Sequence, residues 1–164
     1  MCLYTLTDWL GLVPVFVCLL FGAVGVVQLL GRKDLRRVDG DILLLGVYYV
    51  IVVGCYLVFE QVPINYRPVL IEGRREASYP SSTTLLVLSV MPTLVFQSKR
   101  RLPKGAAQWV TGGSMLFSVF MVVGRLVSGV HWITDIIGSV LFSAGLFCLY
   151  RAAIKERENG DGIP

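Results

Sequence analysis

The chain has 164 residues, 55% of them hydrophobic and 16% charged, with a mean hydropathy of +0.70. These values exclude a disordered chain and an ordinary water-soluble domain, and they make lipid the solvent for most of one integral membrane domain. The net charge of +4, from 15 basic against 11 acidic residues, then reads as a topology signal and not as a nucleic-acid patch.

Uncharged runs define the elements in chain order. The first, Trp9 to Leu30, is long enough to cross a hydrocarbon core of about 30 Å. It does not read as a cleavable signal, because the only charge before it is Asp8 and the basic cluster follows it. Four more runs follow: Ile42 to Phe59, Ser81 to Gln97, Ala106 to Gly124, and Ile136 to Tyr150. The third run is short, with Ser81 and Ser82 offered as N-caps after Pro80. The last is shorter than a span requires, so its helix is expected to begin near Trp132, with Asp135 in its first turn. The reading is an all-α bundle of about five transmembrane helices over 1–155, followed by a polar tail over 156–164 that is expected to fray. Cys18, Cys55 and Cys148 lie inside apolar runs and Cys2 follows Met1, a pattern with neither disulfide nor zinc spacing.

Basic residues sort the connections. Arg32, Lys33, Arg36 and Arg37, then Lys99, Arg100, Arg101 and Lys104, then Arg151, Lys155 and Arg157 fall in alternate connections and mark the cytoplasmic side. That orientation puts the N-terminus outside and the C-terminus in the cytoplasm. The remaining basic residues are Arg67, Arg74, Arg75 and Arg125, all arginine, whose planar fork suits bidentate binding of phosphate or carboxylate. Interfacial snorkelling is the plain alternative.

His131 is the only histidine, on this outer face and four residues before Asp135. On a helix such a pair shares a face, and a carboxylate there can hold one ring nitrogen and leave the other nucleophilic. Read alone, His131 is an interfacial histidine beside the belt residue Trp132. Arg125 stands six residues earlier, so 125–135 has the pattern R-x5-H-x3-D, expected by chance in about one chain of 400 with this composition.

This stretch resembles the third signature of the type 2 phosphatidic acid phosphatase family, in which that histidine attacks phosphorus and that aspartate orients it. The first signature of the family, K-x6-R-P, resembles Glu60 to Pro68, where Arg67-Pro68 is kept and the lysine position holds Glu60. The second, P-S-G-H, resembles Pro80-Ser81-Ser82-Thr83, where glycine has become Ser82 and histidine Thr83. The resemblance covers about 60–150. It implies catalytic roles for His131 and Asp135, and phosphate binding by Arg67, Ser81, Ser82, Thr83 and Arg125.

The same residues make chemical sense without the resemblance. A helix opening at Ser81 and Ser82 points its free N–H groups at the outer interface, where an anion is favoured. Arg67 and Arg125 then clamp the phosphoryl oxygens, and His131 attacks in line. One histidine makes a metal cluster unsuited to this chain, and no cofactor is implied.

The changed positions leave three accounts of the missing leaving-group acid. A diphosphate substrate needs less acid help, since phosphate leaves more easily than an alkoxide. Alternatively Glu60, protonated by burial, donates the proton, unless it is tied up in a salt bridge to Arg67 or Arg125. Lastly, the site binds a lipid phosphate without cleaving it. The expectation is therefore a multi-pass cell-membrane phosphatase acting on a lipid phosphate or isoprenoid diphosphate at the extracytoplasmic face, with the bilayer and its lipid as partners and no nucleic acid. The alternative is a catalytically degenerate lipid-phosphate-binding protein that acts on a partner. A transporter has little support, because the spans carry no charged side chain to line a path.

Overall fold

A computed structural model describes residues 2–71 and 73–160, with the side chain of Cys2 outside that set. Its helices are α1 (Cys2–Leu10), α2 (Leu12–Arg32), α3 (Gly40–Gln61), α4 (Ser82–Arg101), α5 (Lys104–Val127) and α6 (Ile133–Gly160), with a 3-10 turn at Leu35–Arg37. The described residues contain no β-strand. Two isolated antiparallel bridges, Tyr66 to Ala77 and Ile71 to Arg74, fold the loop between α3 and α4 back on itself.

Four segments are long and apolar enough to cross a membrane: the α1–α2 stretch from Leu3 to Arg32, α3, α5 and α6. The chain is thus a multi-pass all-α membrane protein. The remaining long helix, α4, is the least apolar, and its position explains why. It packs against α2, α3, α5 and α6, so protein and not lipid surrounds it. Thr84, Ser89, Thr93, Gln97 and Ser98 are all buried there. A polar group at this depth needs a partner. Tyr49 and Thr93 meet hydroxyl to hydroxyl at 2.7 Å, and Gln97 Nε2 donates to the Tyr150 hydroxyl at 3.1 Å. Pro92 in mid-helix has no N–H to give, and the Tyr48 hydroxyl donates to the nearby Ser89 carbonyl at 2.9 Å. Around this seam Val17, Phe21, Ile42, Leu45, Val52 and Val90 form the apolar core.

The first expected span, Trp9 to Leu30, lies within one apolar stretch from Leu3 to Arg32 that is interrupted near its start. The chain turns at Gly11, so residues before it form the separate short helix α1, which packs on α5. That packing depends on Gly124: a Cβ there would stand 2.7 Å from Thr7 Cγ2. At the other end, α6 begins at Ile133, as its span length required. The stretch expected to fray is helical as far as Gly160, and 161–164 lie outside the described residues. Gly138 on α6 takes the Tyr79 ring where a Cβ would stand 2.5 Å from it, so this small residue serves packing within the chain.

The basic end of the bundle is held by ion pairs. Arg101 Nη2 meets both oxygens of Asp41 at 2.9 and 2.7 Å, and its Nη1 lies 3.3 Å from Asp39. Asp39 also takes Arg32 at 2.8 Å and exchanges two hydrogen bonds with Gln28. Arg32 chiefly, helped by Gln28 and Arg101, holds the Asp39 carboxyl below its usual range despite partial burial.

Candidate active site

The opposite end is built from four elements: α1, the loop between α3 and α4, the first turn of α4, and the junction of α5 with α6. His131 lies in that junction and Asp135 in the first turn of α6. Both are buried, Asp135 completely. Asp135 Oδ2 reaches back to the amide of Trp132 at 2.9 Å, so the carboxylate caps the helix that carries it. The same oxygen lies 3.5 Å from His131 Nδ1.

Between the two stands Ser78, a residue that sequence reasoning did not single out. Its hydroxyl donates to Asp135 Oδ2 in a short contact and lies 3.3 Å from His131 Nδ1. With its own proton given to the carboxylate, the serine oxygen is left to accept from Nδ1–H. The link therefore runs from imidazole through hydroxyl to carboxylate and fixes the tautomer that leaves Nε2 unprotonated. His131 Nε2 is buried and has no hydrogen-bond partner. Burial first, then the positive charges of Arg125 and Arg67, push the imidazole down to about 3, so it is neutral in the empty site.

Arg67, Ser82, Thr83, Arg125 and Glu60 line one pocket, together with Tyr4, Asp8 and Glu76. His131, Asp135 and Ser81 are buried and are not part of its lining, and His131 is near enough to feel the charges of Arg125 and Arg67. Ser81 occupies the N-cap position of α4 without capping it by its side chain. Its hydroxyl donates to Thr84 Oγ1 at 3.0 Å and its amide to the Asp135 carbonyl at 3.3 Å. Ser82 and Thr83 are the residues of that turn that face the pocket.

The ion pairs differ from the one considered for Glu60. Arg67 Nη2 meets Glu76 at 3.1 Å, and Arg125 Nη1 meets Asp8 at 3.4 Å. Neither arginine pairs with Glu60, because the loop bridge between Tyr66 and Ala77 brings Glu76 to Arg67 and the docking of α1 brings Asp8 to Arg125. The Tyr4 ring lies under both guanidiniums, 5.2 Å from Arg125 and 5.8 Å from Arg67. Even so, donors remain: Arg67 Nη1 and Arg125 Nε are buried without partners. A buried guanidinium N–H without an acceptor is costly, so this end of the molecule is organised to receive an anion.

Ser78, Glu76, Asp8 and Tyr4 carried no sequence signal of their own. The loop has no periodicity to report its fold, and Asp8 looked like a flanking charge before a span.

The fold is similar to the crystal structure of a transmembrane PAP2 type phosphatidylglycerolphosphate phosphatase from Bacillus subtilis. Identity is 20%, the TM-score is 0.60, and the match covers 90% of this chain and 78% of that one. Among curated proteins, none matches. The sequence pattern of the PAP2 superfamily matches residues 42–158, a stretch that holds Arg67, the turn at 80–83, Arg125, His131 and Asp135, and leaves α1 and α2 outside. With well over half its length so matched, the chain belongs to the PAP2 superfamily.

Proposed function

We propose that this protein is a membrane-embedded phosphatase that cleaves a lipid phosphate or isoprenoid diphosphate through a phosphohistidine at His131. Superfamily membership, with a fold shared with a PAP2 type phosphatase, supports the coarser reading of a membrane lipid phosphatase. The observation that carries the finer one is the state of His131: buried and neutral, its Nδ1 engaged by Ser78 and Asp135 and its Nε2 without a partner.

In this mechanism Nε2 attacks phosphorus, and the bond to the leaving oxygen breaks as the P–N bond forms. Arg67 and Arg125 hold the equatorial oxygens, with N–H groups at the start of α4 beside them. Asp135, acting through Ser78, stabilises the positive charge that develops on the imidazole. Water then attacks phosphorus, the P–N bond breaks, and phosphate leaves a neutral histidine. Thr83 stands where the resemblance puts an acid, and a hydroxyl is too weak an acid for that role. Glu60 lines the same pocket and is free of both arginines, but it is exposed, so the burial that would protonate it is missing; a diphosphate, which dispenses with the donor, is the better supported substrate. The four basic residues of this end, against eleven in the connections of the other, support an extracytoplasmic site.

The test is phosphate release by the detergent-solubilised protein from a phosphatidic acid, a phosphatidylglycerol phosphate and a polyprenyl diphosphate, beside His131→Ala and Glu60→Gln. Release that ends in His131→Ala is expected, fastest from the diphosphate; a Glu60→Gln that slows the monoesters more than the diphosphate would return the donor role to Glu60. Lipid binding with no release from any substrate favours a degenerate binding protein, the reading that the loss of a histidine at Thr83 supports.

A further inference from the structure

The two arginines are not empty-handed in the free protein. Arg125 is only 1% exposed and bears Asp8 of α1, and Arg67 is 8% exposed and bears Glu76 of the loop. Both carboxylates belong to side chains that reach solvent, 58% exposed for Asp8 and 41% for Glu76. Each pair therefore joins a fixed, desolvated cation to an anion that can swing away into water. The Tyr4 ring under both guanidiniums, and the Thr7 methyl against Gly124, hold the cations and α1 in register while the carboxylates are free to leave. Each arginine is thus balanced by its own carboxylate, while Glu60, the third carboxylate of the pocket, pairs with neither.

We propose that Asp8 and Glu76 are charge-selectivity residues: they occupy the phosphate position in the empty site and yield only to a dianionic phosphoryl group. This inference rests on the phosphatase reading of the pocket. A terminal phosphate carries about −1.5 to −2 charge at pH 7, so one such group replaces both carboxylates and keeps the balance. A phosphodiester headgroup carries a single negative charge and leaves one buried guanidinium without its full counter-charge, an arrangement a desolvated site penalises. In a bilayer the diester headgroups vastly outnumber any lipid monoester. The built-in anions thus keep the abundant lipids out of the arginine clamp, a discrimination made by repulsion as well as by attraction. Asp8 lies outside the matched segment 42–158, so this selectivity is supplied partly by α1.

The test uses thermal unfolding of the full-length, detergent-solubilised protein with inorganic phosphate and with dimethyl phosphate as probes. The wild type is expected to be stabilised by phosphate and not by dimethyl phosphate. Asp8→Asn and Glu76→Gln are each expected to bind phosphate about three- to tenfold more tightly and to gain stabilisation by dimethyl phosphate. Glu76→Gln, in an exposed loop position, keeps the test intact if Asp8→Asn loosens α1. Variants that bind phosphate no tighter and still ignore dimethyl phosphate overturn the selectivity role and leave the phosphate site standing. So does a wild type that binds both anions alike. A wild type and variants that respond to neither anion overturn the site reading along with it.

Discussion

The two ends of the bundle use the same residue types to opposite effect. At the basic end Arg101, Arg32 and Gln28 converge on Asp39 and Asp41, with charges matched by nearby partners. At the site end Arg67 Nη1, Arg125 Nε, His131 Nε2 and Asp135 Oδ1 are buried without partners. Orphaned polar atoms are rare in folded proteins because each carries a desolvation cost. A bundle that satisfies one end and leaves donors and acceptors unpaired at the other holds the second for a ligand. The difference also separates structural from functional arginine: the first is judged by the pairs it makes, the second by the N–H groups it keeps free.

Exchanging groups at the site end should cost activity far more than it costs stability at neutral pH. The largest effect is expected for His131→Ala, a loss of phosphate release on the order of 10³-fold or more. The same variant also tests the depressed imidazole. Between pH about 6.5 and 3 the unfolded histidine takes a proton that the buried one refuses, so the unfolded state binds more protons and wild-type stability falls as pH falls through that window. His131→Ala is expected to lose that part of the slope in pH-dependent thermal unfolding, and identical slopes would mean that the imidazole is not held neutral. Next is Arg125→Lys, which keeps the charge and loses the fork. Kinetics on the preferred substrate should record a fall on the order of 10²-fold in kcat/KM. Ser78→Ala follows, with about a tenfold fall in kcat and little change in KM, since one hydrogen bond that orients the imidazole is removed and no phosphate ligand is. A KM effect of that size with kcat intact would move Ser78 from the histidine to the substrate.

The contrast between the ends was partly legible in the sequence. The hydrophobic runs, the alternation of basic clusters and the start of α6 near Trp132 were readable because span length and charge placement are local properties. Arg125, His131 and Asp135 were readable because one turn brings them together within 11 residues. Ser81 stands at the cap position that the sequence offers, yet its hydroxyl turns to Thr84 and its amide to the Asp135 carbonyl; adjacency in sequence does not say which residue of a helical turn faces a pocket. Ser78 and Glu76 reach the site through bridges in an aperiodic loop, and Asp8 through the break at Gly11 inside an apolar run, neither of which leaves a mark in hydropathy. By hydropathy the run from Ser81 to Gln97 is a short span; the burial of its polar residues by four other helices is a tertiary fact.

The smallest effect belongs to the satisfied end, and it sharpens the comparison because its sign is reversed. Arg101→Gln removes the contacts to Asp41 and Asp39 together with the neighbouring bond from Arg101 Nε to the Gln97 oxygen at 3.0 Å. The pair is partly exposed, with 32% of the arginine side chain and 14% of Asp41 in reach of solvent, so water and salt recover part of the loss. The expected cost is about 1 kcal/mol, read as a fall of a few degrees in the unfolding temperature of the solubilised protein. Phosphate release should be unchanged, because the site lies at the opposite end of α4 and no group there depends on Arg101. Raising the ionic strength should shrink the gap between variant and wild type, as it would not for a buried apolar substitution. If Arg101→Gln instead lowered turnover at unchanged stability, the two ends would be coupled through α4, and the separation of holding residues from working residues would fail.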